Sequence, residues 1–132
     1  MVVMVDSPAA VEVALKMSMH YWHNQGETSK TRFVSLGGSY HGETMGALAV
    51  TDIPLFSQTY APLLTSHYRV PSPDWTQAPE GVSPEAFARS QFAALESLLA
   101  QKHEEICAVI VEPLIQGAAG MKMYHPVYLQ LL

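Results

Sequence analysis

The sequence predicts an α/β fold: a mostly parallel sheet with flanking helices. Three observations carry that prediction. Ile106-Cys107-Ala108-Val109-Ile110-Val111 is continuously apolar and rich in β-branched residues, the pattern of a strand covered on both faces. Two serine–proline pairs, Ser7-Pro8 and Ser83-Pro84, each open a stretch with helical spacing of apolar residues. Helical and strand-like stretches then alternate along the chain, as they do around parallel sheets.

The elements follow in order. Residues 2–5 are apolar and read as a short strand. Ser7 can cap and Pro8 suits a first helical position, and Val11, Leu15, Ser18 and Trp22 recur at helical spacing, so a helix is expected over residues 8–24. Asn24-Gln25-Gly26 ends it. Residues 31–36 form a second strand, and Gly37-Gly38-Ser39-Tyr40-His41-Gly42 is a glycine-rich loop. Residues 43–50 make a short helix packed through small side chains. Residues 51–83 carry Pro54, Pro62, Pro71, Pro73 and Pro79 without clear periodicity, an irregular excursion of the kind that usually serves function. Ala88, Phe92, Leu95 and Leu99 mark the buried face of a helix over 84–103. After the apolar strand, Glu112-Pro113 closes it, residues 116–120 form a second glycine-bearing loop, and residues 126–132 begin another helix.

Composition sets outer bounds. The chain has 132 residues, one domain's worth, with 48 % hydrophobic and 14 % charged residues, which argues for a folded segment. The net charge is −5 with no basic run, so nucleic acid is not an expected partner. No apolar stretch reaches the roughly 18 residues that a membrane helix needs, and the apolar start lacks the charged region and cleavage site of a signal peptide. Cys107 is the one cysteine, so no intramolecular disulfide forms and a reducing compartment is the simple reading. Inside an apolar run its thiol is expected to be inert.

Ligands of parallel α/β sheets bind beyond the carboxyl ends of the strands. That rule selects three loops. The helix start at Ser7 offers unpaired N–H groups and partial positive charge to a phosphate, or is an ordinary capped start. Tyr40, beside Gly42, can stack on a flat heteroaromatic group, or is a surface tyrosine in a turn. Glu112, at the end of the apolar strand, can orient a cofactor, or turns into solvent. His20 and His23 share a helix face but have no acidic or thiol ligand at suitable spacing, so no metal is expected. Lys16, Lys30, Lys102 and Lys122 lie in no desolvated strand-end loop and read as solvated.

Taken together these segments resemble one family. Ala10-Val11-Glu12-Val13-Ala14-Leu15-Lys16-Met17 resembles the helix that follows the phosphate loop of class III aminotransferases. Tyr40-His41-Gly42-Glu43-Thr44-Met45-Gly46-Ala47 resembles the next hallmark, and Val111-Glu112-Pro113-Leu114-Ile115-Gln116-Gly117-Ala118-Ala119-Gly120-Met121 the third. Tyr21-Trp22-His23-Asn24-Gln25-Gly26 and Met121-Lys122-Met123-Tyr124-His125-Pro126 narrow the resemblance to the members that serve biotin synthesis.

The resemblance implies a fold-type I large domain, of which residues 1–132 are one incomplete segment, with pyridoxal 5'-phosphate as cofactor. It implies small-molecule substrates and a cytoplasmic homodimer. The implied reaction moves an amino group from S-adenosylmethionine to the ketone of 8-amino-7-oxononanoate, giving 7,8-diaminononanoate. By the same resemblance Tyr40 stacks near the pyridine ring and lines the substrate site, Glu112 helps hold the cofactor's surroundings, and Ser7 remains to meet the phosphate. Two departures matter. The family's Asp-Ser-Gly-Ser loop is here Asp6-Ser7-Pro8-Ala9, without the flexible glycine. The family's Schiff-base lysine and pyridine-pairing aspartate match no residue of this chain, so on its own it is expected not to transaminate. Another class III ω-aminotransferase, and a non-catalytic remnant or complementing module, stay open as readings.

Overall fold

A computed structural model describes residues 8–132. The strand expected at 2–5 and the candidate phosphate contact Ser7 lie outside the described residues.

Helix α1 is Pro8–Asn24, with Val11, Ala14 and Leu15 buried along one face. It ends as the sequence predicts: Gly26 takes φ 82° and its N–H bonds the His23 carbonyl at 3.0 Å. Strand β1 is Arg32–Leu36, and short helices α2 and α3 are Met45–Val50 and Pro54–Ser57. Strand β2 is Tyr68–Val70, helix α4 is Pro84–Lys102 and strand β3 is Ile106–Ile110. A small hairpin of β4 (Ile115–Gln116) and β5 (Lys122–Met123) leads to helix α5, Val127–Leu131. Ser83 caps α4, its Oγ accepting the Ala86 N–H at 3.1 Å, and Pro84 follows in the first turn.

The main sheet has the order β2-β1-β3 and is parallel throughout. Val34 sits opposite Tyr68 and Val109, and Ser35 opposite Arg69 and Ile110. Moving from β1 to β2 goes one way across the sheet, and moving from β2 to β3 goes back past β1. Both crossovers can keep the favoured right hand only if the reversal also changes face. The packing follows that requirement. On one face Val11 and Leu15 of α1 meet Phe33, Cys107 and the α2 residues Ala47 and Val50. On the other, Ala88 and Leu95 of α4 and Val127 and Tyr128 of α5 meet Val34, Leu36, Val70 and Ile106. Alternate residues of β1 therefore enter different cores, which is why Phe33 and Val34 are adjacent apolar residues, both buried.

Three expectations need correction. Residues 51–83 are not wholly irregular: they hold α3, two 3₁₀ turns and β2, the third strand of the sheet. Three residues between prolines are too few to show a period. Of residues 116–120, expected as a loop, 117–120 turn the β4–β5 hairpin but Gln116 is a strand residue, opposite Lys122, with Ile115 opposite Met123. Finally, β3 is not fully covered. Ala108, Val109 and Ile110 are only half-buried, and a groove of about 650 Å³ runs beside them between Met17, Tyr21 and Trp22 of α1 and Leu129 and Leu132. Trp22 partly closes that edge: its indole N–H donates to the Cys107 carbonyl at 2.7 Å.

Candidate active site

The connection after β1 runs to α2 on one face of the sheet, and the connection after β3 runs to the hairpin and α5 on the other. Two adjacent loops that part in this way leave a crevice at the carboxyl ends of their strands, where ligands of open α/β sheets bind. The loop after β1 carries Tyr40 and the loop after β3 carries Glu112. The structure thus brings together two of the three residues that the sequence singled out.

Glu112 spans the crevice. Its Oε1 accepts the Tyr40 N–H at 2.8 Å and its Oε2 accepts the Gly117 N–H at 3.0 Å. Burial raises its pKa above the usual glutamate range, opposed by those two N–H donors. The carboxylate is thus a clip between loops, with both oxygens already engaged by backbone. On the Glu112 side, Gly117 is exposed and a side chain begun there would meet nothing within 4 Å.

The segment that presents Tyr40 is held at every step. The Gly37 N–H bonds the Val70 carbonyl, the Gly38 N–H bonds Asp52 Oδ2, and the Ser39 N–H bonds the Leu36 carbonyl. The Tyr40 N–H goes to Glu112 and the His41 N–H to Thr51 Oγ1 at 3.0 Å. Five consecutive amides are therefore used within the protein, and none of them is left to cradle an anion. The Tyr40 ring is half-buried against Phe56, centroids 5.3 Å apart, and its hydroxyl donates to Glu43 Oε1 at 3.0 Å. His41 has its Nε2 buried without a partner, and burial lowers its pKa to about 4.

The same segment is pressed against the start of α1. Gly42 takes φ 121°, and a Cβ there would lie 2.6 Å from the Pro8 ring. One turn along α1, Glu12 turns its Oε1 to the start of α2, accepting from Thr44 Oγ1 at 2.7 Å, Gly46 N–H at 2.6 Å and Ala47 N–H at 3.1 Å. Burial alone would raise the Glu12 pKa. The Thr44, Ala47 and Gly46 bonds and the charge of Lys16 outweigh it and leave it below the usual range.

The third strand end is tied in by Gln116, which is 1 % exposed. Its Nε2 donates to the Gly37 carbonyl at 2.9 Å, and its Oε1 accepts from Ser72 Oγ at 2.5 Å. Ends of β1, β2 and the hairpin are so fastened by one amide. Sequence reading missed Glu12, Asp52 and Gln116 because each is an ordinary polar residue whose partner lies far along the chain. A weak signal existed for Glu12: glycines at 42 and 46, four apart, mark a helix start that something must approach closely.

The other residues weighed from sequence take structural places. Cys107 is 7 % exposed and burial pushes its thiol up to about 11, so it is no nucleophile. Lys30 lies over the Trp22 ring and bonds the His103 carbonyl, Lys102 pairs with Glu105, and Lys122 pairs with Asp74 at 3.5 Å. Lys16 is exposed on α1. Among the described residues no helix is long and apolar enough to cross a membrane.

Comparison with known proteins places this geometry. The chain is 44 % identical over 126 residues to the adenosylmethionine-8-amino-7-oxononanoate aminotransferase of Anoxybacillus flavithermus, an alignment covering 95 % of this chain and 28 % of that one. It is 43 % identical over 127 residues to the enzyme of the same name from Synechococcus elongatus, covering 96 % and 29 %. Among solved structures it resembles an omega transaminase of Pseudomonas jessenii in complex with PMP, with a TM-score of 0.84 at 28 % identity over 96 % of this chain and 28 % of that one. An amine transaminase from an uncultivated Pseudomonas species, in its PLP-bound form, matches with a TM-score of 0.84 at 33 % identity over 92 % and 28 %. The chain therefore spans a little over a quarter of the length of these relatives, and its α/β fold is a part of theirs. The model of the class-III aminotransferase family matches residues 1–132, and the chain belongs to that family.

Proposed function

We propose that this chain forms the cofactor-facing segment of an aminotransferase of biotin synthesis, which transfers an amino group from S-adenosylmethionine to the ketone of 8-amino-7-oxononanoate and yields 7,8-diaminononanoate. The observation that carries this reading is the likeness over nearly the whole chain to relatives of that name, at 44 % identity to the Anoxybacillus flavithermus enzyme. The crevice between the Tyr40 and Glu112 loops supports it physically.

The residues present fit pyridoxal 5'-phosphate. A half-buried tyrosine stands in the loop joined to Glu112, and the start of a 17-residue helix abuts the same loop at Gly42. When bound, the cofactor supplies the electron sink for the amino transfer. Tyr40 offers a ring face to a flat heterocycle, and Ser7 with the start of α1 attracts a phosphate. Glu112 ties the two loops to each other. In this reading the tyrosine also lines the substrate side, the parent assembly is a cytoplasmic homodimer, and residues 1–132 form one segment of its large domain.

The lysines support a further part of the proposal: this segment by itself does not transaminate. Three of the four are engaged by partners of their own, Lys30 by Trp22, Lys102 by Glu105 and Lys122 by Asp74, and Lys16 stands exposed on α1. None is desolvated as a Schiff-base lysine must be. The test is a chimera in which this segment replaces the matching 126 residues of the Anoxybacillus flavithermus relative. The chimera is expected to form 7,8-diaminononanoate from S-adenosylmethionine while the 132-residue chain does not. A chimera that binds cofactor yet uses only other amines would favour the broader ω-aminotransferase reading, which the amine-transaminase structures keep in view.

A further inference from the structure

We propose that Glu12 is a positioning residue for the Tyr40 face of the crevice: its carboxylate on α1 holds the start of α2, and so sets where the segment 40–47 stands against the start of α1. The proposal rests on the reading of that crevice as a cofactor site, and extends it to a residue that touches neither cofactor nor substrate.

The geometry is specific. One oxygen, Oε1, takes all three donors, from Thr44, Gly46 and Ala47. Thr44, at the usual capping position before α2, makes no cap bond with its own side chain, so the cap of this helix comes from α1 instead. The bond needs the space that a glycine leaves: a Cβ on Gly46 would lie 2.9 Å from the Glu12 Cδ and closer to Oε2, so a side chain there would displace the carboxylate. Four residues earlier, Gly42 packs on Pro8 in the same manner, and four residues is also the spacing between Pro8 and Glu12. Two successive turns of α1 thus key into two glycines of the Tyr40 segment. The packing of Gly42 supplies contact but no direction. The Glu12 oxygen supplies direction, because hydrogen bonds to two successive amides weaken steeply with misalignment.

The same oxygen exists in glutamine. If acceptance by Oε1 is what matters, Glu12→Gln keeps the position of Tyr40 and Glu12→Ala does not. Gly46→Ala, which leaves Glu12 in the sequence but drives its carboxylate away, should behave as Glu12→Ala. A merely stabilising role would show no such pattern in a local readout.

Two measurements test this. In the 132-residue chain, NMR reports the contact between the Tyr40 and Phe56 rings and the amide shifts of Gly46 and Ala47. Glu12→Ala and Gly46→Ala are expected to weaken the ring contact and move both amides, with Glu12→Gln close to the native spectrum. In the chimera, the same pair of variants is expected to weaken pyridoxamine 5'-phosphate binding about tenfold, and Glu12→Gln by less than about threefold, the range of one lost against one kept set of hydrogen bonds. A Tyr40–Phe56 contact that survives Glu12→Ala unchanged would overturn the proposal, as would Glu12→Gln behaving like Glu12→Ala. A chimera that binds no cofactor even with Glu12 in place would instead count against the function proposed above, and the NMR comparison would still decide the role of Glu12.

Discussion

Gly42 and Gly117 lie at two sides of one crevice and make opposite demands on a side chain. At Gly42 the backbone has φ 121° and the Pro8 ring occupies the place of a Cβ at 2.6 Å. At Gly117 nothing lies within 4 Å. Gly42→Ala is therefore expected to destabilise the fold by about 1–3 kcal/mol through strain and displacement of α1, and Gly117→Ala by much less. Urea unfolding of both variants checks the contrast. His41 makes stability pH-dependent. Unfolded, it titrates near the ordinary histidine value of 6.5, and folded, burial brings it to about 4. Between those values the unfolded chain binds the proton and the folded chain does not, so stability is lost as pH falls through that window. The full loss is roughly 3 kcal/mol from the size of the shift. The expected result is a native unfolding midpoint that drops between pH 6.5 and 4 more steeply than that of His41→Asn.

At the scale of elements, α4 shows how far local rules reach. Ser83 and Pro84 announce its start in the sequence, and the cap bond to the Ala86 N–H is present. Ser83→Ala is expected to cost about 1 kcal/mol of stability, read from thermal or urea unfolding. The start of α2 follows no such local rule, since its cap is donated by Glu12, more than thirty positions away. This contrast explains what sequence made legible. Helices α1 and α4 and strands β1 and β3 are long enough for period and capping to show, and they were read within a residue or two of their bounds. Strand β2 and the β4–β5 hairpin are two or three residues each, and only pairing with β1 or with each other makes them strands. At the site, Tyr40 and Glu112 stood out because each follows a strand. Their joining by a hydrogen bond was not legible, because it depends on which face each following connection takes.

Across the whole molecule, the uneven cover of β3 is the feature with the widest consequence. One face of the sheet is closed by α4 and α5, while beside Ala108 to Ile110 an apolar groove remains open, with Met17 and Tyr21 both 58 % exposed along it. An open strand edge next to exposed apolar side chains favours association. The 132-residue chain is expected to sediment with a concentration-dependent mass, and Met17→Lys to shift it toward monomer. The polar clasps at the other end of the sheet have a different character. Gln116, Glu112, Asp52 and Glu12 fasten strand ends, loops and the start of α2 by hydrogen bonds, and they border the crevice on which the proposed function depends. The most direct test of that crevice is amide NMR during titration of the chain with pyridoxamine 5'-phosphate, which lacks the aldehyde that would label surface lysines. Saturable shifts confined to Tyr40, Gly42, Glu112, Gly117 and the start of α1 are the expected result; saturable shifts elsewhere, such as along the groove beside β3, or no saturable shift at all, would contradict the assignment of this crevice as the cofactor site.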